Sequence, residues 1–226
     1  MDYLEPCQYS TRLIEKLESL DTKNILDFDL INKAIYWAKK YHGDQKRKSG
    51  EPYYSHPLEV AYMISEHKLK TDVIVASILH DIIEDTEVTA GMIIDNFGWR
   101  IAEMVDRLTR DRPDGTKLSV EEILINAYKN NDKEILLIKA IDRVHNLNTV
   151  SYLSLEKQKK QVYETIKNFL ICAEELSLNH ISQFFYAECI KLNIKLGVIT
   201  LDSVIENQNI FDQEFSLPVS PLYRNV

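Results

Sequence analysis

Apolar residues recur at intervals of three and four along almost the whole chain, and no stretch of strict alternation competes with them. Six glycines and six prolines in 226 residues do little to interrupt that rhythm, so the pattern restricts the chain to helices packed on helices. At 45% hydrophobic residues the chain can bury one sizeable core. The spacing predicts helices over residues 10–20, 29–41 (with Asp29 as a cap), 72–84, 118–130, 133–149, 156–177 and 180–195. A helix also starts at "HPLEVAYMISEHK", with Pro57 in its first turn and His56 at the N-cap boundary. Two shorter helices hinge near Gly98, and Val162, Ile166, Phe169 and Leu170 share one face of the 156–177 helix. The end, "FSLPVSPLYRNV", reads as irregular. The expectation is an all-α bundle of about ten helices.

A net charge of −8 argues against a general nucleic-acid coat, which needs excess Lys and Arg, although a local basic cluster could still hold a small anion. No run approaches eighteen apolar residues, so no membrane span is expected. Cys7, Cys172 and Cys189 have no paired spacing, and the N-terminus lacks a basic stretch followed by an apolar run. Free thiols in the cytoplasm are the expectation, with a homo-oligomer left open.

The stretch "SILHDIIEDT", residues 77–86, places His80, Asp81, Glu84 and Asp85 inside an otherwise apolar helix. Residues four apart share a helical face, so these four form one polar patch. No Lys or Arg occurs between Lys70 and Arg100 to pair with it. Buried unpaired carboxylates cost several kcal/mol each, and a divalent cation offsets that cost economically. Further ligands are available at His56, after the basic loop "QKRKSG", and at Asp142 in "LLIKAIDRVHNLNTV", where Asp142, His145, Asn146 and Thr149 share a face. Two imidazole nitrogens with two carboxylate oxygens suit a borderline ion such as Mn, Fe or Zn.

The order His56, His80-Asp81, Asp142 resembles the H…HD…D pattern of the HD-type metal phosphohydrolases. "RKSGEPYYSHPLEVA", "ILHDIIEDT" and "DRVHN" together are similar to the hydrolase domain of RelA/SpoT-type alarmone enzymes, over roughly residues 30–175. The resemblance implies an HD-domain helical bundle over 1–178, with 179–226 as a C-terminal helical extension and irregular tail packed on it. It implies removal of the 3′-pyrophosphate from guanosine tetra- and pentaphosphate with one Mn²⁺. His56, His80, Asp81 and Asp142 would hold the ion, Glu84 and Asp85 would act on the attacking water, and Arg47, Lys48, Ser49 and Asn146 would contact the nucleotide. Too few residues follow the hydrolase region for a synthetase domain, so a stand-alone small alarmone hydrolase is expected.

The sequence departs from the family pattern at Asp44 in "HGDQ", at Asn148 where arginine is frequent, and in "LTRDRPDG". Two other functions remain open: an HD-type phosphatase of another nucleotide, and a nucleotide-binding module without catalysis. Asp142 beside Arg143 also reads as a surface ion pair. His145 reads as structural or supporting, one of Tyr53 or Tyr54 as a pocket residue, and His42, His67 and His180 carry no functional expectation.

Overall fold

The computed structural model describes residues 3–112 and 115–197. Helices follow one another as α1 (Gln8–Leu20), α2 (Phe28–His42), α3 (Ser55–Ile64), α4 (Thr71–Ile78), α5 (Ile82–Asp85), α6 (Ala90–Phe97) and α7 (Trp99–Leu108). They continue as α8 (Val120–Lys129), α9 (Lys133–Asn148), α10 (Leu155–Glu164), α11 (Leu170–Glu175) and α12 (Asn179–Lys195). Among the described residues there is no strand, only two isolated bridges that pin loops, Lys46 with Pro52 and Asp111 with Lys117. The all-α expectation holds. The expected irregular end of the chain lies outside the described residues.

The expected cap of α2 moves. Asp27, not Asp29, accepts from the Leu30 amide, and Asp29 sits in the first turn, where a negative charge still favours the helix dipole. α3 begins one residue before His56, so that histidine lies inside the first turn and is oriented by regular helix geometry.

α4 is the axis of the molecule. Every side chain from Val73 to His80 is buried, and the helix packs against α2, α3, α7 and α9. Such an all-round apolar helix is stable only in the middle of a bundle. Its burial is also what fixes the position of the residues that follow it.

The helix expected over 72–84 breaks. α4 ends at Ile78, Leu79 closes it with φ −102° and ψ 4°, and a single new turn starts at Ile82. Adjacent residues on a continuous helix project about 100° apart, so His80 and Asp81 could not both face one centre from an unbroken one. The break lets them.

The helix expected over 156–177 runs as α10 and α11 joined through a π turn at Thr165–Phe169. The extra residue shifts the register. Thr165 becomes fully buried, while Ile166 turns outward at 45% exposure, against the expectation that it shares the apolar face. Val162, Phe169 and Leu170 do face the core. α12 packs on this rod and on α9, with Phe185 against Phe169 at 6.2 Å between ring centroids.

Arg143 is not the surface partner of Asp142. It is buried, pairs with Glu164 at 3.0 Å and with Gln161, and lies 4.4 Å over the Phe169 ring. It therefore ties α9 to the outer rod while its neighbour Asp142 faces His56 and His80. Among the described residues no helix is long and apolar enough to cross a membrane.

Candidate metal centre and its surroundings

Residues 45–53, within the expected polar loop, form a tight hairpin. The Arg47 amide donates to the Glu51 carbonyl at 2.9 Å and the Tyr53 amide to the Gln45 carbonyl at 2.8 Å. Gly50 occupies φ 96°, where a side chain would be strained. The hairpin feeds directly into α3, which carries His56 into the core at 2% exposure.

Three separate chain segments now meet. His56 comes from α3, His80 and Asp81 from the break after α4, and Asp142 from α9. One ligand atom each from His56, His80 and Asp142 lies within 4.8 Å of the others. Asp81 joins them, its Oδ2 3.4 Å from His56 Nε2 and 3.1 Å from His80 Nε2. His56 Nε2 is also 3.1 Å from Asp142 Oδ1.

The proton arrangement shows what the site needs. His80 Nδ1 lies 2.7 Å from the Ser77 carbonyl, which can only accept, so Nδ1 carries the hydrogen. In the neutral ring the buried Nε2 then presents a lone pair to the carboxylates of Asp81 and Asp142, and it makes no well-directed hydrogen bond to either. A lone pair facing two anions is tolerable only with a positive charge between them. Without a metal that charge is a proton: burial works to lower the His80 pKa, but Asp81 and then Asp142 outweigh it and hold it at about 10. Burial likewise works to raise the pKa of Asp81 and of Asp142, yet the two imidazoles keep both well below the usual carboxylate range. An orphaned imidazole nitrogen, two histidines and two aspartates are a donor set that fits a divalent transition ion.

Glu84 and Asp85 lie one turn beyond. Both carboxyls are raised, chiefly by burial and in part by the charge of Asp81. Glu84 accepts from the Arg110 amide at 2.6 Å, and Asp85 Oδ2 accepts from the Tyr53 hydroxyl at 2.6 Å. The two acids therefore diverge to different hydrogen-bond partners, while the charge of Asp81 still reaches both. The positive charge that the sequence left unaccounted for comes from elsewhere in the fold: Lys139, buried on α9 one turn before Asp142, and Arg110 both draw on Glu84.

Of the expected nucleotide contacts, Arg47 and Asn146 come together. Arg47 donates to Asn146 Oδ1 at 3.0 Å and to Thr149 Oγ1 at 3.2 Å, and Asn146 Nδ2 donates to Asp142 Oδ1 at 2.7 Å. Lys48 is exposed at the hairpin tip, and Ser49 donates to Glu51 at 3.0 Å. The departures Asp44 and Asn148 are both exposed.

The structure adds His42 and Gln45, which the sequence reading passed over, and gives His145 the supporting place expected of it. His42 is buried and stacks on Tyr53 at 4.7 Å, and Gln45 holds the Asp85 carbonyl at 2.9 Å. His145 Nδ1 lies 2.9 Å from His56 Nδ1, and burial, with the charges of His56 and Arg47, pushes its pKa down to about 3. Only the shared α9 face pointed to His145 and Thr149; nothing local pointed to His42.

The family model described as HD domain matches residues 34–171. The chain belongs to the HD-domain family. This HD-domain chain is 37% identical over 163 residues to a GTP pyrophosphokinase of Myxococcus xanthus, covering 69% of this chain and 22% of that protein. It is 36% identical over 171 residues to a guanosine-3′,5′-bis(diphosphate) 3′-pyrophosphohydrolase of Aquifex aeolicus, covering 74% of this chain and 24% of that one. A probable enzyme of the same description in Mycoplasma genitalium is 30% identical over 222 residues, covering 92% of this chain and 30% of that protein. The chain thus spans less than a third of the length of these relatives. A solved structure of a metazoan orthologue of SpoT described as hydrolysing ppGpp has a TM-score of 0.48 at 18% identity, over 86% of this chain and 99% of that one.

Proposed function

We propose that this HD-domain chain is a Mn²⁺-dependent hydrolase that removes the 3′-pyrophosphate from guanosine tetra- and pentaphosphate, yielding GDP or GTP and pyrophosphate. The observation that carries the reading is the convergence of His56, His80, Asp81 and Asp142 beside two further acids and a basic hairpin. The relatives described as 3′-pyrophosphohydrolases support the choice of substrate.

His56, His80, Asp81 and Asp142 would hold the ion, which supplies Lewis-acid polarisation of a phosphoryl oxygen when bound. The chain's own residues do the rest. Glu84 or Asp85 takes the proton of the attacking water, and their raised pKa makes each a better base near neutrality than a free carboxylate. Tyr53 holds Asp85 in place. Water attacks the phosphorus bonded to the ribose 3′-oxygen, that bond breaks, and the 3′-oxygen leaves and is protonated. Arg47, Lys48, Ser49 and Asn146 would receive the nucleotide, with Arg47 and Lys48 offsetting phosphate charge. The free thiols of Cys7, Cys172 and Cys189 suit a cytoplasmic site of action. The proposal includes a hydrolase domain over 1–178 with 179–226 as its extension.

The test is product analysis. Purified protein with Mn²⁺ is incubated separately with guanosine tetraphosphate, GTP, dGTP, GMP and NADPH. Pyrophosphate and GDP from the first alone are expected. Turnover of monophosphates only, or binding without turnover, refutes the proposal.

A further inference from the structure

The hydrogen-bond chain behind the metal centre favours one proton arrangement when His56 Nε2 is the atom that holds the ion. A guanidinium has donors and no acceptor. Arg47 faces His145 Nδ1 at 3.5 Å, so that nitrogen accepts and the His145 proton sits on Nε2. His56 Nδ1 lies 2.9 Å from the same nitrogen. Facing that acceptor, a His56 ring that binds an ion through Nε2 carries its hydrogen on Nδ1 and donates it. With an ion in place of a proton on the other nitrogen, His56 offers it the Nε2 lone pair, and that atom points at Asp142 and Asp81.

The same guanidinium acts on a second expected ligand. It donates to Asn146 Oδ1, which fixes the orientation of that amide and turns its Nδ2 toward Asp142 Oδ1 at 2.7 Å. Arg47 also holds Thr149, so three α9 side chains are gathered by one group from the hairpin.

We infer that His145 and Arg47 are positioning residues of the metal centre. Arg47 sets the His145 tautomer, His145 sets the His56 tautomer, and Arg47 orients Asp142 through Asn146. The affinity of the centre for its ion is therefore coupled to the basic hairpin. By reciprocity, an anion that draws Arg47 off α9 loosens the ion, and the ion resists that withdrawal. Groups that orient metal ligands in this way change affinity by about 10- to 100-fold when removed. The inference rests on the metal-centre reading and is independent of which nucleotide is hydrolysed.

The test is Mn²⁺ binding by the metal-free full chain, followed by the electron paramagnetic resonance signal of free Mn²⁺ without substrate. His145→Leu should weaken binding by about 10- to 100-fold, as expected for a lost orienting partner. His145→Gln, whose amide oxygen can still accept from His56, should restore most of that loss. Arg47→Ala and Arg47→Lys should both weaken binding, because an ammonium cannot reproduce the fork of donors. Long-range ¹H–¹⁵N correlation spectra of the Zn²⁺-loaded wild-type chain should place the His56 proton on Nδ1. Wild-type affinity in His145→Leu, equal losses in the Leu and Gln variants, or a proton on His56 Nε2 each overturn the inference. Should His145→Leu fail to fold, the Arg47 variants and the wild-type spectra decide it. A wild-type chain that binds neither Mn²⁺ nor Zn²⁺ overturns the underlying metal-centre reading, and the inference with it.

Discussion

Tyr53→Phe probes the acids beside the metal centre with the smallest available change. The variant keeps the ring stacked on His42 and removes only the hydroxyl that donates to Asp85 Oδ2 at 2.6 Å. A hydrogen bond to a charged group contributes about 1.5–3 kcal/mol. Asp85 is only partly buried, so solvent compensates part of the loss and the low end applies. That end corresponds to about one pH unit, since 1.36 kcal/mol is one unit. The sign follows from the direction of the bond: the hydroxyl stabilises the carboxylate, and its removal raises a pKa already raised by burial. If Asp85 is the base, it must be ionised to act, and the acid limb of the kcat/KM profile moves up by about one pH unit. Pyrophosphate release measured from pH 5 to 9 with saturating Mn²⁺ reads that limb directly. Activity should fall near pH 6 and stay close to wild type above pH 8. An acid limb that does not move refutes the assignment of Asp85 and leaves Glu84 as the base.

Three other expectations have direct measurements. Treatment with EDTA should abolish pyrophosphate release, and added Mn²⁺ should restore it; full activity in the chelator removes the metal from the reaction. In the metal-free chain the raised His80, at about 10 against 6.5 unfolded, contributes stability below pH 6.5 that is lost as pH rises through 10. The lowered Asp81 and Asp142 contribute stability above their unfolded value of 3.8 that is lost on acidification below it. Urea midpoints should therefore fall between pH 6.5 and 9.5 when the metal is absent, and a flat profile contradicts the proton-for-metal account. Phe185→Ala empties a fully buried position against Phe169 and should cost about 3–5 kcal/mol of unfolding free energy in urea. A loss under 1 kcal/mol would mean that α12 is not an integral part of the core.

The bundle was legible because periodicity reports which faces are buried. α4 shows this plainly: a run such as Val73 to Leu79 can rest only at the centre. The candidate ligands His56, His80, Asp81 and Asp142 were legible as polar residues set in apolar helices without a local counter-charge. The break after Ile78 was not, because Ile82 and Ile83 continue the helical spacing and no Gly or Pro marks a stop. It falls where two adjacent side chains, His80 and Asp81, reach the same group of residues. The outward turn of Ile166 was hidden for a related reason: a π turn changes the period itself, which a fixed 3.6-residue template cannot register. The charge opposite Glu84 was invisible because Lys139 and Arg110 are close only in space.

Consecutive positions of α9 serve different sides of the helix: Asp142 the candidate metal centre, Arg143 the clasp with Glu164 and Phe169. A force that pries α10 and its neighbours away would thus pull on the residue one peptide bond from a ligand, with no intervening loop to absorb it. The outer layer holds a mechanical lever on the candidate centre, and grafting that centre onto another scaffold would require bringing the clasp along with its four side chains.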